Sequence, residues 1–160
     1  MKCTLVKLEQ LSGNEATVYS VLLDSEQKTL FQGFIDKHVN SFRSEIKDIS
    51  DRLRVMGHKE GAREGSFKHG EGAYGDFCCA LFDKPNRKLR LYCLRYGSQI
   101  VVLAGGGPKN VRAWQDDPEL KKEMEWLKMF AKELNERLET RNITYTKDFL
   151  EFEGDLEFDI

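Results

Sequence analysis

Proline is scarce, cysteine and histidine are few and unpatterned, and long apolar runs are missing. Three prolines in 160 residues exclude a proline-rich linker protein. The longest apolar stretch, residues 77–82, falls far short of the ~20 residues that a membrane helix needs. Neither charge sign dominates: 25 Lys and Arg face 27 Asp and Glu, a net charge of -2, so the chain as a whole is no strong polycation. The four cysteines, at 3, 78, 79 and 93, contain no C-x-x-C pair. His38, His58 and His69 form no H-E-x-x-H or Cys/His cluster, so no metal site is expected. Met1-Lys2-Cys3-Thr4, followed by Lys7 and Glu9, lacks the apolar core of an export signal. A cytoplasmic location with no membrane partner is therefore expected, with the cysteines as small buried hydrophobes in a reducing compartment.

What is present is enough for a core. Apolar residues make up 40% of the chain, and its length fits one domain over 1–160. A chain of this size buries roughly 70% of the surface its unfolded form exposes. Charge is unevenly spread. From Lys84 to Gln115, Lys84, Arg87, Lys88, Arg90, Arg95, Lys109 and Arg112 meet no acid. From Lys147 onward, Asp148, Glu151, Glu153, Asp155, Glu157 and Asp159 oppose Lys147 alone.

The periodicities give a coarse element order. Residues 3–8 and 16–23 are apolar runs joined by Ser12-Gly13-Asn14, which reads as a β-hairpin. Asp24 or Ser25 then offers a helix cap, and Leu30, Phe31, Phe34 and Ile35 follow at helical spacing. Asn40-Ser41 breaks and recaps the chain. Phe42, Ile46, Ile49, Leu53 and Met56 mark a second helix, with Gly57 where a left-handed cap would end it. These two helices read as an antiparallel pair. Residues 57–75 read as a glycine-rich loop. Three strands follow: 77–82, 88–96 and 100–103, separated by Lys84-Pro85-Asn86 and Gly97-Ser98, the last ended by Gly105-Gly106-Gly107-Pro108. Asp116 or Asp117 caps a final helix with Pro118 near its start and Leu120, Met124, Leu127, Phe130 or Ala131, Leu134 and Leu138 inward. Residues 143–145 and 149–158 read as closing strands with one acidic face. The order ββ-αα-βββ-α-ββ predicts an α+β domain: a helical hairpin packed on a mostly antiparallel sheet, with a C-terminal helix, an N-terminal β-hairpin and acidic C-terminal strands.

Enzyme motifs with fixed spacing are missing. Gly105-Gly106-Gly107-Pro108-Lys109 is not a P-loop, and no G-x-S-x-G elbow occurs. The chemistry that remains is cationic. A hairpin between the second and third of the three strands brings Arg90, Lys109 and Arg112 toward one end of the sheet. Three cations about one point suit a phosphate, and arginine binds it bidentately. Tyr92, Tyr96 and Trp114 lie close by in sequence and offer rings for unpaired bases. The competing reading pairs Arg90 with an acid and places the aromatics in the core. The glycine-rich loop adds Arg63, Lys68 and His69, a mobile connector or a source of a base near neutrality.

These segments resemble a family. Lys88-Leu89-Arg90-Leu91-Tyr92 is similar to the "yRl-y" strand of the RelE/ParE toxin superfamily, including its HigB-like branch. Ile100-Val101-Val102-Leu103 is similar to its "ivvL" strand, residues 107–112 to its basic segment, and Asp117-Pro118-Glu119-Leu120 to the start of its last helix. Gly61-Ala62-Arg63-Glu64 to Lys68 falls where the family carries a basic loop. The resemblance covers roughly residues 25–139. It implies a toxin of a toxin–antitoxin pair that cuts mRNA on translating ribosomes without metal or cofactor, with an antitoxin protein, the ribosome and mRNA as partners. It implies that Arg90 holds the scissile phosphate, that Lys109 or Arg112 stabilises developing charge, and that Tyr92, His69 or Lys68 moves protons. RNA contacts would fall to Arg63, Lys68, Lys88, Arg95 and Trp114. Two departures stand out: residues 77–82 carry no lysine where the enzymatic branch often does, and the pI is near 6.0. A non-catalytic binding protein on the same fold, of gyrase-inhibitor or protein-partner type, and a fold relative without a toxin role are the alternatives. The acidic end is expected to lie against the basic site and mask it.

Overall fold

The structure, a computed structural model, describes residues 1–69, 75–81, 87–109 and 114–160, with the Trp114 side chain excepted. The Lys84-Pro85-Asn86 turn lies outside the described residues. The chain is α+β: three helices and a seven-stranded, mostly antiparallel sheet, with a separate two-stranded ribbon.

The N-terminal hairpin pairs β1 (Lys2–Lys7) with β2 (Thr17–Leu23). Helices α1 (Leu30–His38) and α2 (Arg43–Val55) follow. Then come β3 (Phe67–His69), β4 (Cys78–Leu81), β5 (Leu89–Tyr96) and β6 (Ile100–Pro108). Helix α3 (Pro118–Glu139) precedes β7 (Ile143–Tyr145), β8 (Phe152–Gly154) and β9 (Glu157–Asp159). The large sheet runs β3-β4-β5-β6-β2-β1-β9, while β7 and β8 pair with each other. Every neighbouring pair in the large sheet is antiparallel except β2 and β6, which are parallel.

Helices cover both faces of this sheet. On one, Phe31 and Phe34 of α1 and Ile46, Ile49 and Leu53 of α2 pack on Val18, Cys79, Leu89, Leu91, Cys93, Val101 and Leu103. On the other, Leu120, Met124, Leu127, Phe130, Ala131 and Leu134 of α3 pack on Tyr19, Ala80, Tyr92, Leu94, Val102 and Ala104. The central strands are therefore apolar without alternation, as strands covered twice must be. Cys78 and Cys79 fall in opposite layers, as neighbours in a strand do. The α3 stripe follows the 3.6-residue period, and Asp117 caps it by accepting the amides of Glu119 and Leu120 at 3.0 and 3.2 Å.

Several local expectations are corrected. The cap of α1 is Thr29, not Asp24 or Ser25; its hydroxyl accepts the Gln32 amide. Ser41 does not cap α2: the capping position is Phe42, with no side-chain hydrogen bond. Gly57 does not end α2. The chain continues through a wider turn at Met56–Glu60, and the left-handed residue is Gly61, at φ 77°. Glycine is needed at 57 because a Cβ there would collide with the Leu11 carbonyl. Part of the expected glycine-rich loop is the strand β3. Residues 105–108 are not a turn but the end of β6. That end holds because β6 carries one residue more than β5 between the Leu91–Gly106 and Cys93–Leu103 pairs, a β-bulge. A side chain at Gly106 would strike the Arg90 carbonyl.

Among the described residues, the last acidic strand does not lie against the Lys88–Lys109 end of the sheet. Strand β9 pairs with β1 at the far edge, three strands from β6, which is about 14 Å at the usual strand spacing. Its counterpart is Arg137, whose guanidinium donates to the Asp155 and Glu157 carbonyls and stands 4.1 Å over the Phe158 ring. No helix among the described residues is long and apolar enough to cross a membrane.

Candidate functional site

Strands β5 and β6 carry the basic segment. Arg90 lies opposite Gly107 and Leu89 opposite Pro108, and the Lys109 amide donates to the Lys88 carbonyl at 2.6 Å. The hairpin thus sets Lys88, Arg90 and Lys109 at one end of the sheet. Glu45, in the first turn of α2, fixes that end: its carboxylate accepts the amides of Lys88 and Leu89 at 2.6 and 3.2 Å. Arg87 reaches Ser44 alongside. A buried carboxylate bonded to two main-chain amides is well solvated by the protein itself.

The side chains at this end differ in access. Lys88 is exposed and Lys109 half-buried. Arg90 is 1% exposed and Tyr92 0%; both face the α3 layer, and neither is without partners. A guanidinium keeps its charge wherever it sits, so Arg90 is a buried cation at the same end of the hairpin as the two lysines. The Tyr92 ring is packed in the α3 core and offers no open face to a base. Tyr96 is likewise in that core, its hydroxyl donating to Asn135 at 2.7 Å.

The remaining candidates stand elsewhere. Arg112 and the Trp114 side chain lie outside the described residues. His69 is on β3, two strands from β5; its row, His69–Cys79–Cys93, belongs to the α1/α2 face, opposite Tyr92 and Arg90. Its ring lies 3.1 Å from the Glu64 carbonyl. Lys68 is exposed in the row Lys68–Ala80–Tyr92, on the α3 face. Arg95 points the other way, donating to the Ala62 carbonyl at 2.8 Å and lying 5.9 Å from the centre of the Phe67 ring. Arg63 is exposed beside that contact. The structure therefore brings Lys88, Arg90 and Lys109 together and leaves His69, Arg63 and Arg95 apart from them.

The fold also makes a cleft that local sequence patterns do not show. Strands β2 and β6 pair only from Thr17–Ile100 to Ser20–Leu103, then separate. Buried Ser20 sits at the fork. Its hydroxyl donates to the Leu103 carbonyl at 2.8 Å and accepts the Phe31 amide at 3.1 Å, seating the start of α1 where the strands part. Beyond the fork is a cleft of about 290 Å³, lined in part by Gly33, Lys37, His38, Gly105, Gly106 and Glu123. It lies at the carboxyl ends of two parallel strands, where open sheets commonly place their ligands. Burial, assisted by Lys37, pushes the His38 imidazole below its ordinary value and holds it neutral at pH 7. Burial pushes the Glu123 carboxyl above its ordinary value. Gly33 inside α1 and Gly105 are the sequence signals for this cleft: Gly33 leaves open space, and the Glu123 carboxylate stands where a Gly105 side chain would be.

Thiol chemistry has little support. Cys79 and Cys93 oppose each other on β4 and β5 with sulfurs 3.6 Å apart, and both are buried. Desolvation raises the Cys93 thiol well above its usual range and pushes Cys3 up to about 11. Among the described residues no group of three His, Cys, Asp or Glu side chains is placed to hold a metal ion. No protein-family model, curated protein or solved structure significantly matches this chain.

Proposed function

We propose that this chain is a toxin of the RelE/HigB kind that acts on RNA at the translating ribosome, with an antitoxin as its cognate partner. The observation that carries the reading is the meeting of Lys88, Arg90 and Lys109 at one end of the β5–β6 hairpin, inside a segment free of acids. Two lysines at the end of the sheet that also carries a guanidinium suit a phosphodiester. The succession of helical pair, antiparallel β4-β5-β6 and α3 supports the same reading. In the cleavage reaction the ribose 2'-hydroxyl gives up its proton to solvent and attacks the adjacent phosphorus, the bond to the 5'-oxygen breaks as that oxygen takes a proton from solvent, a 2',3'-cyclic phosphate remains, and the cations stabilise the charge that gathers on the phosphoryl oxygens. A metal-independent route of this kind rests on positioning and charge.

One observation favours a second reading, a non-catalytic binding protein that uses the same surface. Tyr92 is fully buried and His69 is on the other face of the sheet, so neither described group stands beside Lys109 to move a proton. Inducible expression in bacteria separates the two. Lys88→Glu with Lys109→Glu is a cleaner variant than Arg90→Ala, because removing a buried arginine also removes packing. Growth arrest with mRNA cleavage, both lost in the double variant, is the expected result for the toxin. Arrest with intact mRNA selects the binding protein. Normal growth with soluble, folded protein rejects both.

A further inference from the structure

Glu123 is a carboxylate without a partner. It projects from α3 against β6, with an oxygen 2.6 Å from where a Cβ on Gly105 would stand. It is half-buried, and no described residue gives it a hydrogen bond or an ion pair. Lys37 and Lys122 attract it from beyond contact, and Glu119 repels it. Burial therefore outweighs these attractions and raises the carboxyl. Glu45 shows the ordinary solution: it is buried too, and it accepts two main-chain amides. A desolvated acceptor without a donor, in the wall of a cleft, is a place for a donor from outside the chain.

The walls of the cleft set the shape of that donor. Gly33 on α1 has nothing within 4 Å of where its Cβ would be. Gly106 is half-exposed on the edge of β6, past the point at Leu103 where β2 departs. Both lining positions are main chain rather than side chain. A slot walled by glycine lets a flat ring approach the backbone closely. The edge of β6 that β2 has left also carries main-chain groups for the ring's other polar atoms.

Charge narrows the choice. Lys37 lines the cleft and is exposed, and among the described residues its one ion pair, with Glu119, is as long as 4.0 Å. Glu119 precedes Glu123 by one helical turn, which puts this cation about 6 Å along α3 from the carboxylate. Lys28 is also in the lining but is held by Asp36, and Glu26 is exposed at the rim. His38 is neutral at pH 7 and adds no charge. A cationic ligand would meet the lysines, and a simple anion would meet Glu123. The ligand that suits both ends is neutral where it donates to Glu123 and negative where it reaches Lys37.

A carboxylate has two acceptor oxygens and is matched best by two parallel N–H groups. Among flat neutral rings that carry a phosphate, guanine places two such donors side by side, at N1 and N2. The pairing edges of adenine and cytosine set an acceptor beside their one amino group, and uracil has a single N–H between two acceptors. We propose that the cleft beyond the β2–β6 fork binds a guanine nucleotide, with the base edge on Glu123 and the phosphate on Lys37. Free nucleotide and a guanosine within an RNA strand present the same edge and the same phosphate. The site stands whether or not the Lys88–Lys109 end acts on RNA.

The test is titration calorimetry of the full chain with guanosine, inosine and adenosine monophosphates near pH 7. The guanosine form binds at least about tenfold more tightly than the adenosine form, and more tightly than the inosine form, which lacks the N2 amino group. Glu123→Gln, left with one acceptor oxygen, weakens it at least about tenfold. Lys37→Ala weakens the monophosphate but leaves plain guanosine within about twofold. The trinucleotides U-G-U and U-A-U separate the sources. U-G-U binding at least about tenfold more tightly than guanosine monophosphate assigns the site to RNA, and weaker or equal binding assigns it to the free nucleotide. Equal affinity for guanosine and adenosine monophosphates, no binding of either, or binding indifferent to Glu123→Gln overturns the proposal. Thermal melts of both variants keep a lost site apart from a lost fold: Lys37 is exposed and Glu123 bonds to nothing in the chain, so both variants melt with the native chain or above it.

Discussion

Phe149 and Phe152 are three residues apart and have opposite duties. Phe149 is exposed on a left-handed backbone, whereas Phe152 is buried between Tyr19, Tyr96 and Tyr145. Asparagine accepts left-handed angles more readily than phenylalanine, so Phe149→Asn should fold with a stability within about 1 kcal/mol of the native chain. Phe152→Ala should cost roughly 3–5 kcal/mol, as removal of a buried ring does. Urea unfolding of both variants checks the contrast; equal losses would show that Phe149 carries hidden packing. Glu123 gives a pH-dependent counterpart. Its folded value is raised, so its favourable contribution is complete below the unfolded value of 4.5 and is lost as pH climbs through the folded one. Glu123→Gln should therefore gain stability relative to the native chain between pH 4 and pH 7, measured as the change in melting temperature at each pH. An identical difference at both values would remove the carboxyl from the account. His38 acts at the other end of that window. Its lowered value means that stability falls as pH drops below 6.5 through the folded value.

At the scale of elements, sequence patterns reach as far as interactions are local. The stripe and cap of α3 are legible because Asp117, Pro118 and the Leu120-to-Leu134 spacing act within a few residues of one another. Lys109 beside Lys88 is legible because one short turn at Gly97 joins the strands that carry them. The end of β6 is not. Three glycines and a proline carry turn propensity, and only the pairing with β5 and the bulge near Gly106 make them strand. Strand β3 is hidden for a similar reason, since only Phe67 of its three residues is buried. With β3 unseen, the face of His69 could not be assigned. The cleft beyond Ser20 needs the parallel pairing of β2 with β6, a contact 83 residues apart that no local period encodes. Two substitutions probe these elements. Gly106→Ala should destabilise by roughly 2 kcal/mol or more, because a β-carbon meets the Arg90 carbonyl rather than a side chain that can turn away. Asp117→Ala should cost about 1 kcal/mol through two unsatisfied amides at the start of α3. Thermal melts of both variants would show whether the bulge or the cap matters more.

Across the whole molecule, the C-terminal segment is part of the frame. Phe152 and Phe158 close the α3 layer, and β9 completes the sheet against β1. A chain stopped after Lys147 should lose cooperative unfolding and expose apolar surface, seen as a broad melt with increased binding of a hydrophobic dye. A sharp melt at the native temperature would show that the acidic strands are dispensable.

The parallel contact of β2 with β6 also bears on how the chain comes to be folded. Hairpins such as β1–β2 and β5–β6 close over short loops, but β2 gains its other neighbour only after about eighty more residues have been made. Closing so long a loop before any reward is collected makes folding slow, and contacts of this separation belong to proteins that fold in milliseconds to seconds rather than microseconds. During synthesis the β1–β2 ribbon leaves the ribosome before β6 and β9, with one edge waiting for β6 and the other for β9. Until the last strand arrives, those open edges are the part of the nascent chain most in need of a chaperone.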